Sequence, residues 1–398
     1  MPISKTISTC EVCDAVSITP VLDLGAQPMC DDLVPIGDSR EPERYPLRLL
    51  ACTRCLTIHQ SVQVDKTLLF PQTYHYRAAL TQDVINGMRD LVDFVQRSGV
   101  SLSGLRVLDV GCNDGSLLSI FRERGAITAG VEPTGAAKDA ALNAEWVHHG
   151  YFDAEAVGQY LAKFPQPDVI TFTNVFAHIE DLNGLIGNLK RLMGPSTKLV
   201  IENHYLGAVV ARQQFDTFYH EHPRTYSFRS FQYIASKLQR VIEHVEFPAR
   251  YNGNIRVTIG NGKEAQPEKL DEEKFIDGVR NMQQLIKIAR ERIHGRLRPL
   301  VRQYGPLPAK AFPGRAAILI HSLDIDEKLI DATYERSASP KIGHYIPGTR
   351  IEIRDEAEFF SSRMKSPVLV NLAWHIQHEI EGYMRDRGFV GQLVPLFE

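Results

Sequence analysis

Between Phe215 and Ser227 the chain reads Phe-Asp-Thr-Phe-Tyr219-His220-Glu221-His222-Pro-Arg-Thr-Tyr226-Ser, the densest polar cluster in its 398 residues. The two imidazoles offer a base that titrates near neutrality, Glu221 an orienting carboxylate, and Tyr219 and Tyr226 phenol donors able to hold an oxyanion. The pattern points to acid/base chemistry. Two other readings stay open. His220 and His222 alternate, so on a strand they would share a face and could ligate a metal. The run also fits a solvated polar loop.

A second set of chemistry-bearing residues is Cys10-Glu-Val-Cys13 and Cys52-Thr-Arg-Cys55, with 38 residues between the pairs. Each knuckle can present two thiolates on a tight turn. Four soft sulfurs make the closed tetrahedral shell of a structural zinc, with no position left for water. Redox pairs or unliganded thiols are the alternative. The long separation calls for a small subdomain, and Leu22, Leu24, Leu47 and Leu49 suggest short strands feeding the turns. Cys30 and Cys112 stand alone and are expected to pack as small apolar side chains.

A third constellation is Arg106-Val-Leu-Asp109-Val-Gly111-Cys-Asn113-Asp-Gly115-Ser-Leu-Leu118, a buried strand breaking into a glycine turn that opens a helix. Glycines at 111 and 115 let backbone approach a ligand where a side chain would collide. Asp109 places a carboxylate beside the turn, which would repel a dinucleotide's pyrophosphate but hold the ammonium of a sulfonium amino acid. The three-glycine dinucleotide fingerprint is absent. Glu132, 17 residues past Gly115, ends the next strand, where a carboxylate can accept from both ribose hydroxyls. Phe152 is placed to cover an adenine, and Asn174 leaves the fourth strand on the ligand-binding edge of such sheets. Asp109, Gly111, Asn113, Gly115, Glu132, Phe152 and Asn174 together predict S-adenosylmethionine as cofactor.

The elements that must position these groups are legible as hydrophobic periodicity. Strand-like runs at Arg106–Val110, 128–131, Val169–Thr173 and 198–201 alternate with helical segments, the mark of a parallel sheet wrapped by helices. Val84, Met88, Leu91, Val92 and Val95 recur at helical spacing after the Tyr74-His75-Tyr76 run. One long helix is expected from Glu268 to Arg298, and beyond it a second α/β domain with strands at 316–320 and 368–372. The expected fold is α/β: a Rossmann-like class I methyltransferase domain (71–262) between a zinc-binding subdomain (1–70) and a C-terminal part (263–398).

Hydrophobic residues make up 43% and charged residues 23%, ordinary values for globular proteins. The formal net charge of −3 supplies no global field for phosphate contacts, so nucleic acid is not the expected partner. The N-terminus lacks a secretory pattern and no apolar stretch is long enough to span a bilayer, so a cytoplasmic protein with no membrane partner is expected.

In their order along the chain, the cysteine pairs, the Asp109–Gly115 turn, the Asn174-Val-Phe-Ala-His178 stretch and Tyr219-His-Glu-His222 resemble the sugar C-methyltransferase family, over nearly the whole sequence. That resemblance implies a small-molecule substrate, a nucleotide-linked 4-keto-deoxyhexose (dTDP expected) methylated at C3. It implies His222 as general base, Tyr219 and Glu221 beside it, His178 near the sugar and Tyr76 contributed from the N-terminal region, with Tyr74 two residues away. The segment Ala311-Phe312-Pro313-Gly314-Arg315 departs from the family's glycine- and alanine-rich turn, and Tyr251–Arg256 replaces a more histidine-rich form. Methylation of a hydroxyl through the same His222 base is the alternative enzyme reading, and an RNA-binding zinc protein a third.

Overall fold

The alternating apolar runs do assemble a parallel sheet. In the computed structural model, which describes residues 3–397 apart from 73, 75, 81, 251, 252, 266, 268, 269, 364 and 365, it has seven strands. From edge to edge they are Val241–Glu246, Asn254–Gly260, Lys198–His204, Val169–Thr173, Arg106–Val110, Ile127–Glu132 and Trp146–His149. Only Asn254–Gly260 runs antiparallel to its neighbours. The first strand in sequence, Arg106–Val110, is central. Its successors go to one side, and the chain then returns to Val169–Thr173 on the other. That reversal opens a crevice at the carboxyl ends of these two strands, where ligands of open α/β sheets bind.

Continuous burial along Val169–Phe172 and Leu199–Asn203 is what strands covered on both faces require. One covering layer is the helix Gln82–Arg97, which buries Val84, Met88, Leu91, Val92, Phe94 and Val95 on a face that meets Leu117, Ile120 and Phe121 of the helix after the glycine turn. The helical spacing read from the sequence is therefore the packing face.

By contact density the chain divides into two compact units. The first comprises 1–19, 50–212 and 221–276; the second 20–49, 213–220 and 277–398. Both cysteine knuckles belong to the first unit, while the segment between them is shared. In the second unit, parallel strands Gln392–Pro395, Val368–Asn371, Leu307–Lys310, Ile330–Glu335 and Glu352–Asp355 lie side by side, followed by antiparallel His344–Tyr345 and Val34–Pro35.

Two expectations are corrected here. Residues 316–320 are not a strand. Ala316–Ser322 is a helix whose residues 316–320 are all buried, and the strand is Leu307–Lys310, upstream. A short, wholly apolar run has no periodicity to separate a buried strand from a buried helix. Pro308 disguised the true strand, which accommodates it at a break in register between Leu307 and Pro308. The long helix runs Phe275–Tyr304 after a turn at Glu272–Lys274, and so passes through Pro299; Glu268, its expected start, lies outside the described residues. Buried Ile286, Ile293 and Leu297 keep this helix on the core, and that packing outweighs the one hydrogen bond Pro299 removes.

Candidate functional site

The glycine turn adopts the conformation its sequence implied. Gly111 and Gly115 have φ of 71° and 77°, and a Cβ on Gly115 would stand 2.8 Å from the Ala140 Cα, so neither freedom nor space is left for a side chain. Asn113 is also left-handed, with φ 50°. Its N–H donates to Glu132 Oε2 at 2.9 Å, while Glu132 Oε1 accepts from the Thr134 N–H and hydroxyl at 2.9 and 2.6 Å. These bonds hold Glu132 at the strand end and fill three of roughly four acceptor positions of its carboxylate. Phe152 is half-buried, edge-on to Phe172.

Asp109 sits deeper than the sequence suggested. It is 3% exposed, its Oδ1 accepts from the Thr171 hydroxyl at 2.7 Å, and burial pushes its pKa up to about 7. An acid whose folded pKa lies above its unfolded value, about 3.9, holds a proton that the unfolded chain has released. It therefore costs stability progressively as pH rises from about 4 to about 7. Denaturant melts of ligand-free protein should show D109N gaining on wild type across that window and holding a constant margin above it; a margin independent of pH would show Asp109 ionised throughout.

Asn174 is left-handed too, with φ 54°. Its N–H donates to Glu202 O at 2.7 Å, and Asn254 Nδ2 donates both to Asn174 Oδ1 (3.2 Å) and to Glu202 Oε1 (2.9 Å). Glu202, fully buried, is balanced by Arg256 at 2.7 Å. The divergent Gly253–Arg256 stretch thus fastens the Asn174 corner; Tyr251 and Asn252 lie outside the described residues.

The acid/base candidates separate into two groups. In the first unit the His222 ring, 6% exposed, has His178 at 4.9 Å and His204 at 5.6 Å between centroids. His178 stacks on Phe70 at 5.2 Å. Burial, and secondarily His222, hold His178 well below the ordinary histidine pKa, so it is neutral at pH 7. A neutral neighbour is what His222 needs to take up a proton, since two adjacent imidazolium rings would repel. The Tyr74 hydroxyl donates to Glu221 Oε2 at 3.3 Å. Tyr76 is 44% exposed, and its carbonyl accepts from Asn113 Nδ2 at 3.1 Å, which sets it beside the glycine turn. His75 between them lies outside the described residues.

Tyr219, half-buried, and His220 fall in the second unit. His220 packs edge-on to Tyr45, with Nε2 3.2 Å from the Tyr45 carbonyl, and burial lowers its pKa to about 4. The reading of His220 and His222 as paired metal ligands does not hold: among the described residues only the cysteines group as a metal site. Asp216, six residues before His222, accepts from Arg315 Nε and Nη2 and from Trp374 Nε1, each at 2.9 Å. Arg315 of the divergent turn is therefore engaged with the segment leading into Tyr219.

The sequence reading missed His204 and Asn254. His204 ends the strand beside Val169–Thr173, and that position on the ligand edge was the available signal. Asn254 lay in the Tyr251–Arg256 segment already marked as divergent, but nothing in its spacing pointed to Asn174.

The cysteines fit zinc. All four are buried, and their Sγ atoms lie within 4.8 Å of one another, with Cys10–Cys55 at 3.4 Å and Cys13–Cys52 at 3.5 Å. Zinc–sulfur bonds of about 2.3 Å imply a tetrahedron with edges of about 3.8 Å. The knuckles repeat one turn. Asp14 N–H donates to Cys10 O and Leu56 N–H to Cys52 O, both at 2.9 Å, and Asp14 and Leu56 share a left-handed φ of 58° and 57°. His59 Nε2 stands 3.3 Å from Cys10 Sγ as an outer partner. Cys30 and Cys112 are buried apart, as expected.

Three family models match consecutive stretches: a zinc binding domain over 10–70, a methyltransferase domain over 80–251 and a C-methyltransferase C-terminal domain over 264–394. The C-methyltransferase NovU of Streptomyces niveus is 30% identical over 234 residues, 57% of this chain and 54% of that protein. A ubiquinone biosynthesis O-methyltransferase of Klebsiella pneumoniae is 37% identical over 116 residues, 28% of this chain and 46% of that one. The chain thus spans about half the length of these relatives. Among solved structures, the magnesium protoporphyrin IX methyltransferase ChlM of Synechocystis covers 45% of this chain and 84% of its own at 17% identity and a TM-score of 0.35.

Proposed function

We propose that the chain is a zinc-containing, S-adenosylmethionine-dependent C-methyltransferase that methylates C3 of a nucleotide-linked 4-keto-deoxysugar, a reading supported by the zinc binding, methyltransferase and C-methyltransferase C-terminal models that match it and by its similarity to a C-methyltransferase. The observation that carries the reading is the buried His222 ring beside a neutral His178 and beside His204, the last residue of the strand Lys198–His204. A ketone at C4 makes the C3 proton acidic. His222 removes that proton, and the electron pair passes to the carbonyl oxygen as an enolate. Glu221, whose Oε2 accepts from the Tyr74 hydroxyl, supplies the orienting carboxylate. S-adenosylmethionine, when bound, would supply an electrophilic methyl: the enolate's electron pair would form the C3–methyl bond as the carbonyl re-forms, and the sulfur–methyl bond would break to leave S-adenosylhomocysteine. Gly111 and Gly115 would admit the cofactor's close approach, Glu132 and Asn174 would hold its ribose and amino-acid ends, and Phe152 would border its adenine.

Methylation of oxygen would use the same base. The O-methyltransferase relative covers only 28% of this chain, whereas the C-methyltransferase covers 57% and the C-terminal model is that of C-methyltransferases, which favours carbon. The test is incubation of the protein with label in the donor methyl and a panel of nucleotide-linked 4-keto sugars, followed by locating the label. Label on C3 is the expected result; label on oxygen, or no transfer to any keto-sugar, would overturn the assignment.

A further inference from the structure

We propose that Arg224 is a positioning residue that sets the His178 ring against the His222 ring, and that Glu11, placed within the first cysteine knuckle, is the anchor that fixes it. The proposal rests on the reading of His222 as base and deepens it by naming what holds that base in register.

Arg224 is 1% exposed, a costly place for a guanidinium, and its donors are directed at three parts of the first unit. Nη2 donates to the Ile179 carbonyl and Nη1 to the Glu180 carbonyl at 3.1 Å, so the fork grips the two peptides that follow His178. Nη1 also pairs with Glu11 Oε2, and Nε donates to the Tyr226 hydroxyl at 3.0 Å. Glu11 is itself immobilised. Lys5 Nζ reaches its Oε1 at 2.6 Å and Gln63 Nε2 its Oε2 at 2.9 Å, and Glu11 lies in the turn closed by Cys10 and Cys13.

The His222 side is held from the other knuckle. Arg224 and Thr225 pair antiparallel with His59 and Ile58. The Gln60 N–H donates to Pro223 O at 3.0 Å and its Nε2 to His222 O at 2.8 Å. Downstream, the Ser227 and Ser230 hydroxyls both donate to Cys55 O, at 3.1 and 3.2 Å. The thiolate site is therefore the common footing of the segment carrying His222, and Arg224 extends that footing to the peptides behind His178. Arg224 thus links the first knuckle, through Glu11, to the placement of the His178 ring.

Lysine keeps the charge toward Glu11 but is a point donor without the planar fork, so it cannot grip Ile179 and Glu180 together. In full-length, zinc-loaded protein R224K should retain wild-type zinc per chain and an S-adenosylmethionine dissociation constant within about twofold. The ring carbon–proton NMR signals of His178 and His222, assigned by single substitutions, should both shift. With a working acceptor, kcat should fall about 10- to 100-fold while KM for S-adenosylmethionine stays put, the size expected when a reacting group moves by about 1 Å. E11Q, which leaves every cysteine in place, should move the same two signals in the same direction by less. Ring signals unmoved in both variants would overturn the proposal, and should R224K lose its zinc, E11Q decides alone. If the signals move while His222→Ala remains active, the positioning stands and the base assignment falls.

Discussion

His222→Ala is expected to lower methyl transfer by about two to four orders of magnitude, the range supplied by a positioned general base. The same protein should bind S-adenosylmethionine with nearly wild-type affinity in calorimetry. The reason is spatial economy in the sheet. The cofactor candidates Gly111, Asn113 and Glu132 hang on Arg106–Val110 and Ile127–Glu132, and Asn174 is tied down by Glu202 and Asn254. None of these bonds passes through the His222 side chain. Its backbone is retained by Gln60, a contact that alanine leaves in place. A loss of cofactor binding in parallel with activity would mean the substitution had disturbed the sheet edge, and full activity would remove His222 from the base role. Because His178 is held neutral by burial, His178→Gln should be the milder change, without the charge uptake that the base requires.

What was legible in the sequence follows from how local each signal is. Arg106–Val110 and Val169–Thr173 were readable to the residue because an apolar run ending in glycine or asparagine marks its own boundary. The four cysteines were readable because cysteine pairs with two residues between them have few other uses, and the structure brings all four together. Residues 316–320 were misread because burial on every side erases periodicity. Tyr219 and His222, three residues apart, gave no hint of falling in different compact units. Arg224 looked like one more polar residue in a cluster, since its counter-charge is 213 positions away. Long-range pairing of this kind leaves no trace in spacing, and it is where the support for the candidate site resides.

That distribution of support sets the expectation for Cys10→Ser. Loss of one thiolate should release zinc, lower soluble yield and remove the cooperative thermal transition of the first unit. A structural zinc contributes an apparent free energy of about 10 to 16 kcal/mol at neutral pH, comparable with the whole stability of a domain, about 5 to 15 kcal/mol, so even a partial loss decides the balance. Cys10, Val12, Cys13, Cys52 and Cys55 are themselves members of the hydrophobic cluster around Phe172, Phe176 and Phe231, so opening the site exposes that cluster. Thr57, whose hydroxyl is 3.0 Å from Cys55 Sγ, donates to Ser230 at the start of the helix Phe228–Lys237, and the disturbance therefore reaches the capping box of that helix. A folded, zinc-free variant with an unchanged melting temperature would show the thiolates to be ordinary core residues. Chelation of the wild type provides the matching measurement: the far-ultraviolet signal should fall with zinc removal and return on adding the metal, because the same four sulfurs, absent zinc, have only weak thiol hydrogen bonds to hold two knuckles together.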